Sequence, residues 1–190
     1  MIEITRETKE TQISVKLNLY GTGQAKINTG VGFYDHMLEA FTKHAHIDME
    51  VECKGDTHID DHHTVEDVAI VIGQALKKAI YPVQSIERFG NATVVMDEAS
   101  ITCDIDLSNR GFLVFELPIG GKVGDFDVEL VEEFFKAFAF NLPLTLHLVY
   151  NRGKNKHHII EGAFKALAVA LRRAVTVNEN AGIPSTKGVL

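Results

Sequence analysis

The chain has 190 residues, 45% of them apolar, and carries a net charge of −7. It contains no dense block of Lys and Arg and no apolar run of about 18 residues, and its N-terminal stretch is too charged for a signal peptide; these features argue against a nucleic-acid binder, a membrane protein and a secreted precursor. The two cysteines, Cys53 and Cys103, lack the CxxC spacing of a thiolate metal site and favour a reducing compartment. We therefore expect a soluble, cytoplasmic protein without a nucleic-acid or membrane partner.

The first part of the chain alternates strand patterns with helix patterns. Runs in which apolar and polar residues alternate, as in half-buried strands, occupy 2–8, 13–21 and 47–55. Runs with apolar residues at helical spacing occupy 30–45 and 62–80. The first two strands are joined by a turn that carries Glu10, and His36 lies outside the apolar stripe of the first helix.

The second part of the chain repeats this order after a break at Pro82. Strand patterns occupy 91–98, 100–108, 112–119 and 144–150. Helix patterns occupy 129–140 and 157–175. We place an internal boundary between a first half, 1–85, and a second half, 86–190, which together form one compact domain.

Two stretches show that the halves are copies of one unit. Residues 62–80 read HHTVEDVAIVIGQALKKAI, and residues 157–175 read HHIIEGAFKALAVALRRAV, with both histidines, the glutamate and the closing A-L-basic-basic-A in register. The predicted fold class is therefore α+β. Each half should form a small antiparallel or mixed sheet with two helices packed on one face.

The shared HHxxE motif is suited to metal binding. In a helix its first His and its Glu lie four residues apart on one face, whereas the second His is turned by about 100°. One helix can therefore chelate one metal and offer a spare imidazole to another. The two copies supply four imidazoles and two carboxylates, a set that suits Mn, Fe, Zn or Ni: His62, His63, Glu66, His157, His158 and Glu161. The alternative is a pair of solvated helix N-termini, although a duplication that keeps this register favours the metal.

The helices upstream of the two motifs can be aligned as well. The sequence LEAF in the first half matches FKAF in the second, which sets His36 opposite Glu133. We expect each of these residues to stand one helix away from the HHxxE motif of its own half, close enough to add a ligand. An ordinary exposed side chain is the alternative at both positions.

Several motifs together resemble the imidazoleglycerol-phosphate dehydratase family of histidine biosynthesis. They are FYDHMLE, GDTHIDDHHTVED, LSNR, FKAF, GKNKHHIIEGAFKA and PSTKGV, and they extend over nearly the whole chain. The resemblance implies a duplicated fold, a manganese-dependent lyase with two Mn²⁺ per active site, a phosphorylated imidazole substrate and a 24-subunit assembly with active sites at subunit contacts.

The resemblance also implies roles for individual residues. Metal ligands fall on His36 and on both HHxxE sets, but many family members have a His where this chain has Glu133, so either Glu133 or His147 completes the second metal site. We favour Glu133. Residues implied in substrate binding are Glu10, His36, His44, His62, Glu66, Arg88, Arg110, His157, Lys165, Ser185, Thr186 and Lys187.

The implied reaction removes water from imidazoleglycerol phosphate and gives imidazoleacetol phosphate. The proton leaves a carbon that has no neighbouring carbonyl, so metal ions on the ring nitrogens would stabilise an imidazolate that expels the hydroxyl group. Glu10 is the expected general base, and Arg and Lys side chains suit the phosphate. A di-metal hydrolase and a non-catalytic metal-binding module remain alternatives. The alternating strand patterns argue against a ferritin-like helical bundle.

Overall fold

A computed structural model describes residues 1–190. The first half contains four strands and two helices: β1 (Ile2–Glu7), β2 (Thr11–Asn18), β3 (Ala25–Asn28), α1 (Gly32–Ala45), β4 (Asp48–Gly55) and α2 (His62–Ile80). The second half repeats this order with a small hairpin added: β5 (Phe89–Met96), β6 (Ala99–Asp106), β7 (Phe112–Glu116), β8 (Lys122–Val123), β9 (Phe126–Asp127), α3 (Leu130–Asn141), β10 (Thr145–Arg152) and α4 (Lys156–Ala174).

The two main sheets have equivalent topologies. The first has the strand order β1-β2-β4-β3 and the second β5-β6-β10-β7. In each sheet three strands pair in antiparallel fashion, and the last strand runs parallel to its neighbour. Buried and less buried residues alternate along β2 and β6, so one face of each sheet packs on the helices.

The four helices lie between the two sheets and pack crosswise. Each helix contacts the sheet of its own half, but α1 packs most closely against α4, and α2 against α3. Because α2 and α4 are covered by a sheet on one side and a helix on the other, their buried residues spread around much of the helix. At the centre, aromatic rings of both halves meet, and Tyr34 and Phe164 both pack against Phe134 at centroid distances of 5.8 and 4.6 Å. The apolar residues of both halves form one contiguous core.

The structure confirms the α+β fold with two helices on one face of each sheet, and it adds elements that the sequence patterns missed. These are β3 and the hairpin of β8 and β9, which are short and have no alternating pattern. No helix combines the length and the apolar character needed to span a bilayer. The division of the chain between residues 85 and 86 stays a prediction.

Candidate metal centre and anion-binding cleft

The second HHxxE motif opens helix α4. The Asn155 side chain accepts a hydrogen bond from the His157 backbone N–H at 3.0 Å and caps the helix at the motif. One turn later, Glu161 Oε2 lies 3.1 Å from His157 Nε2. The first His and the Glu of this motif therefore share one helix face, as their spacing predicts.

His36 joins this pair from the other half of the chain. Its Nε2 atom lies 3.4 Å from Glu161 Oε2, and the ligand atoms of His36, His157 and Glu161 all lie within 4.8 Å of one another. The expectation that His36 stands beside the motif of its own half is wrong. The reason is the crosswise packing, because α1 packs more closely against α4 than against α2.

Glu161 is the most buried member of this cluster, with 8% of its side chain exposed. Lys165, one turn further along α4, places its Nζ 2.7 Å from Glu161 Oε1. Burial opposes ionisation of Glu161, but the hydrogen bond and charge of Lys165, with contributions from His36 and His157, outweigh it and lower the pKa of the carboxyl group. Glu161 is therefore an anionic ligand candidate, with two imidazole nitrogens beside it.

The first HHxxE motif, at the start of α2, is more open. His62 Nε2 lies 3.9 Å from Glu66 Oε2, and the two side chains are 43% and 44% exposed. No third His, Cys, Asp or Glu of the same chain completes this pair as His36 completes the pair on α4. The second motif thus offers a three-ligand cluster and the first offers a pair.

The second His of each motif points away from its His–Glu pair and contacts other carboxylates. His63 Nδ1 lies 3.0 Å from Asp56 Oδ2, and His63 Nε2 lies 3.7 Å from Glu10 Oε1. The hydrogen bond to Asp56 raises the pKa of His63, and the charge of Glu10 adds to the effect.

His158 is held in a similar way in the second half. Its Nδ1 lies 2.8 Å from Glu98 Oε2, while Glu98 Oε1 accepts the backbone N–H groups of Lys154 and Asn155 at 3.1 and 2.7 Å. The His158 hydrogen bond and these two backbone hydrogen bonds lower the pKa of Glu98 to about 2, and the same histidine contact raises the pKa of His158. Neither Asp56 nor Glu98 was among the residues predicted from sequence.

Glu10 lies in the turn between β1 and β2, where 52% of its side chain is exposed. The Thr8 hydroxyl accepts the backbone N–H groups of Glu10 and Thr11 at 3.1 and 3.0 Å, which fixes the turn. The Thr11 hydroxyl donates to Asp67 Oδ2 at 2.5 Å, so the turn is tied to helix α2 beside the first motif. Glu10 therefore sits on a well-anchored turn next to His63.

The two alternatives for the remaining metal ligand lie in different places. Glu133, on α3, has its carboxylate 3.7 Å from Lys136 Nζ and makes no ion pair with a histidine of the same chain. His147 alternates with buried Leu146 and Leu148 on β10, so its side chain lies on the sheet face opposite the helices. Since α3 packs against α2, Glu133 is on the helix layer that carries the motifs, whereas His147 is not.

The residues expected to bind phosphate line one cleft at the C-terminal tail. They are Arg88, Arg110, Ser185, Thr186 and Lys187, joined by Ser108 and Asn109. Arg88 makes a two-point ion pair with Asp106, at 2.7 and 3.0 Å, and donates to the Pro184 carbonyl at 2.6 Å, which holds the tail against β6. None of the candidate metal ligands lines this cleft.

His44 lies near the C-terminus of α1, one helix away from Lys165. Burial lowers its pKa, as do the positive charges of Lys165 and Arg172. The cations on α4 thus disfavour the protonated form of His44.

Comparison with known proteins identifies the class. Residues 29–171 match the family model described as imidazoleglycerol-phosphate dehydratase. The chain is 90% identical over 190 residues to the imidazoleglycerol-phosphate dehydratase of Sulfurovum sp. (strain NBC37-1), and 67% identical over 190 residues to that of Aliarcobacter butzleri (strain RM4018), with 100% of both chains covered in each case. The duplicated fold with its grouped histidines is that of a dehydratase, a lyase that breaks a carbon–oxygen bond.

Solved structures agree with this class. The crystal structure of imidazoleglycerol-phosphate dehydratase from Staphylococcus aureus subsp. aureus N315 superposes with a TM-score of 0.83 at 40% identity, covering 93% of this chain and 99% of that one. The Pyrococcus furiosus enzyme, solved in complex with (S)-C348, gives a TM-score of 0.87 at 37% identity, covering 98% and 100%. The chain belongs to the imidazoleglycerol-phosphate dehydratase family, which confirms the resemblance noted in its motifs.

Proposed function

We propose that this chain converts imidazoleglycerol phosphate to imidazoleacetol phosphate in histidine biosynthesis, with a divalent metal as cofactor. The observation that carries the proposal is the convergence of His36, His157 and Glu161 from both halves of the chain. Family membership supplies the reaction, and this cluster supplies a place for the metal.

The residues in the cluster fit a metal ion. Two imidazole nitrogens and one anionic oxygen form a mixed N/O set that accepts Mn²⁺ and other first-row divalent ions, and no thiolate competes. When bound, the metal supplies Lewis acidity towards the imidazole ring of the substrate. Lys165 contacts the second oxygen of Glu161, so it holds the carboxylate in place while the first oxygen faces the histidines.

Glu10 is the proposed general base. Its carboxylate is exposed enough to reach a substrate, yet its turn is fixed to α2 through Thr11 and Asp67. A base held in this way can accept the C–H proton without a large rearrangement. Glu10 also lies beside His63, so the proton acceptor and the first HHxxE motif belong to one surface.

The cleft at the tail is the proposed phosphate site. Arg110 and Lys187 supply positive charge, and the hydroxyl groups of Ser185 and Thr186 supply neutral donors, which together suit a dianion. Arg88 shapes the cleft through Asp106 and the tail.

We further propose two Mn²⁺ per active site and assembly of 24 subunits that share these sites. In support, His63 and His158 direct their Nε2 atoms away from the His–Glu pair of their own helix, which leaves an imidazole for a site completed by another copy. Sedimentation before and after chelation tests this. We expect a large particle that dissociates when the metal is removed; an unchanged mass with unchanged substrate affinity contradicts shared sites.

The activity itself is tested with purified protein that is stripped of metal and reloaded with Mn²⁺. Addition of imidazoleglycerol phosphate should yield the ketone product, and the yield should vanish in excess chelator. Release of inorganic phosphate instead would identify a di-metal hydrolase. Metal binding without any product would identify a non-catalytic metal-binding module.

A further inference from the structure

The second His of each HHxxE motif has its Nδ1 atom bound to a carboxylate. In the first half this carboxylate is Asp56, the residue directly after β4, and the distance is 3.0 Å. In the second half it is Glu98, in the turn between β5 and β6, and the distance is 2.8 Å. The two carboxylates come from different places in the repeated unit but contact the same ring nitrogen.

This contact fixes the form of the imidazole. An ionised carboxylate only accepts hydrogen bonds, so Nδ1 must carry the proton in both rings. In the neutral ring the lone pair then lies on Nε2. His63 and His158 are thus prepared to bind a cation through Nε2.

Glu98 is itself fixed by the backbone N–H groups of Lys154 and Asn155. Asp56 is mostly buried, with 13% of its side chain exposed, and its Oδ1 atom has no hydrogen-bond partner. Lys154 and Asn155 precede the second motif, so Glu98 sets both the start of α4 and the orientation of His158. Fixed carboxylates of this kind orient metal-binding histidines in other proteins.

Asp56 makes in the first half the contact that Glu98 makes in the second, although it lies at a different position in the repeated unit. Glu10 is the residue before β2, and Glu98 is the residue before the equivalent strand β6. Although their positions correspond, Glu98 contacts Nδ1 of its histidine, whereas Glu10 lies 3.7 Å from Nε2 of its own. In the first half, therefore, Asp56 and not Glu10 makes the contact with Nδ1 of the histidine.

We infer that Asp56 and Glu98 are positioning residues that hold His63 and His158 through Nδ1, so that Nε2 is the nitrogen offered to the metal, and that Asp56 thereby leaves Glu10 available for proton transfer. The inference rests on the proposed function, because it takes His63 and His158 as metal ligands and Glu10 as the base. Neither Asp56 nor Glu98 touches the substrate in this scheme; each acts through its histidine.

The test compares metal retention in variants of the assembled, Mn²⁺-loaded protein during titration with a chelator. Glu98→Gln keeps the oxygen that accepts the Lys154 and Asn155 N–H groups but offers an amide donor to His158, which favours a proton on Nε2. We expect it to lose Mn²⁺ at a chelator concentration about 10- to 100-fold lower than the parent protein does. Asp56→Asn should do the same for His63. Glu98→Asp, which keeps the carboxylate, should stay close to the parent protein.

Three controls make the result decisive. Glu52→Gln removes the same charge from an exposed carboxylate on β4 and should leave metal retention unchanged. His158→Ala should weaken metal retention, and adding Glu98→Gln to it should have no further effect. The ¹⁵N resonances of the histidines, recorded on each folded variant after a chelator has removed the metal, report which ring nitrogen is protonated. A carboxylate with a purely structural role would not change these resonances when it is replaced.

The outcomes separate the inference from the proposed function. If His158→Ala weakens metal binding but Glu98→Gln and Asp56→Asn do not, the positioning role is wrong, whereas the assignment of His158 as a metal ligand is supported. If His158→Ala and His63→Ala both retain the metal fully, the ligand set itself is wrong. Should Glu98→Gln fail to fold, Asp56→Asn decides the question in the other half.

Discussion

His36 and Glu161 lie 3.4 Å apart across the contact between the two halves of the chain. The first comes from α1 and the second from α4, the helix on which α1 packs. A metal bound at this point would therefore be held by both halves at once. The cluster and the packing of the helices are two aspects of one arrangement.

Removal of either imidazole from this cluster should weaken the binding of the same metal ion. We expect His36→Ala and His157→Ala each to lower Mn²⁺ affinity by at least about tenfold, and the double variant to lose far less than the sum, because each single change already breaks the site. Calorimetric titration measures this. Lys26→Ala, an exposed change on β3, serves as the control. Strictly additive losses would show that the two histidines bind different ions.

Glu133 should contribute to a second metal site. Glu133→Ala should lower the affinity of one Mn²⁺ while Glu133→His largely restores it, because an imidazole replaces the carboxylate oxygen as a ligand. Glu132→Ala, an exposed change on the same helix, should have no effect. Metal titration of the three variants beside His147→Ala ranks the candidates. A larger loss for His147→Ala would transfer the role to that residue.

Replacement of Glu10 by Gln should abolish turnover and spare binding. The amide keeps the size and polarity of the side chain but cannot take the proton, so kcat should fall by about 10²- to 10⁴-fold. Metal content, particle mass and KM should remain near those of the parent protein. Glu7→Gln, in the same hairpin, is the matched control and should be fully active. Near-normal turnover of Glu10→Gln would assign the proton to another group.

The two arginines of the tail cleft should differ in what they contribute. Arg110 is exposed, so Arg110→Ala should raise KM by roughly tenfold through the loss of a charged donor and leave thermal unfolding unchanged. Arg88 also pairs with Asp106 and binds the Pro184 carbonyl, so Arg88→Ala should raise KM and lower the melting temperature as well. Steady-state kinetics and calorimetry separate the two effects. Lys26→Ala, an exposed change on β3, should alter neither.

Asp67 should be important for stability. It accepts the Thr11 hydroxyl and pairs with Arg6 at 3.1 Å while 10% of its side chain is exposed. Asp67→Ala removes the carboxylate that accepts from Thr11 and pairs with Arg6, and we expect it to lower the free energy of unfolding by about 2–3 kcal/mol, with Asp67→Asn less damaging. Denaturant unfolding of the protein, after a chelator has removed the metal, measures the loss of unfolding free energy. Equal stability of all three proteins would mean that water replaces the carboxylate at no cost.

Much of the fold could be predicted because the sequence contains an internal repeat, so each pattern appears in both halves. The alternation of apolar residues and the repeated HHxxE motif defined the helices and the long strands, and all of these are present. The strand β3 was not predicted because only Ile27 of its four residues is partly buried, so its sequence does not alternate between apolar and polar residues. Short edge strands of this kind depend on a neighbour, here β4, for their structure.

The candidate site was harder to predict than the fold. Spacing within one helix placed His157 beside Glu161, but it gave no information about which helix would face them. A repeat shows which segments correspond and does not show how the two copies pack, so His36 was expected beside the wrong motif. Asp56 and Glu98 were missed for a related reason. Each is distant from its histidine in sequence and becomes its partner only through the sheet that carries it.

The crosswise packing of the helices makes the metal-ligand cluster depend on the covalent link between the two halves. A polypeptide that ended after α2 would leave bare the faces of α1 and α2 that α3 and α4 now cover, and its His36 would have no Glu161. Two separate copies of such a half-length chain could bury these faces only by forming a dimer. Joining the halves in one chain replaces a contact that would depend on protein concentration by one with an effective local concentration on the order of millimolar. The fused chain thus keeps its composite site intact at any dilution at which the chain itself stays folded.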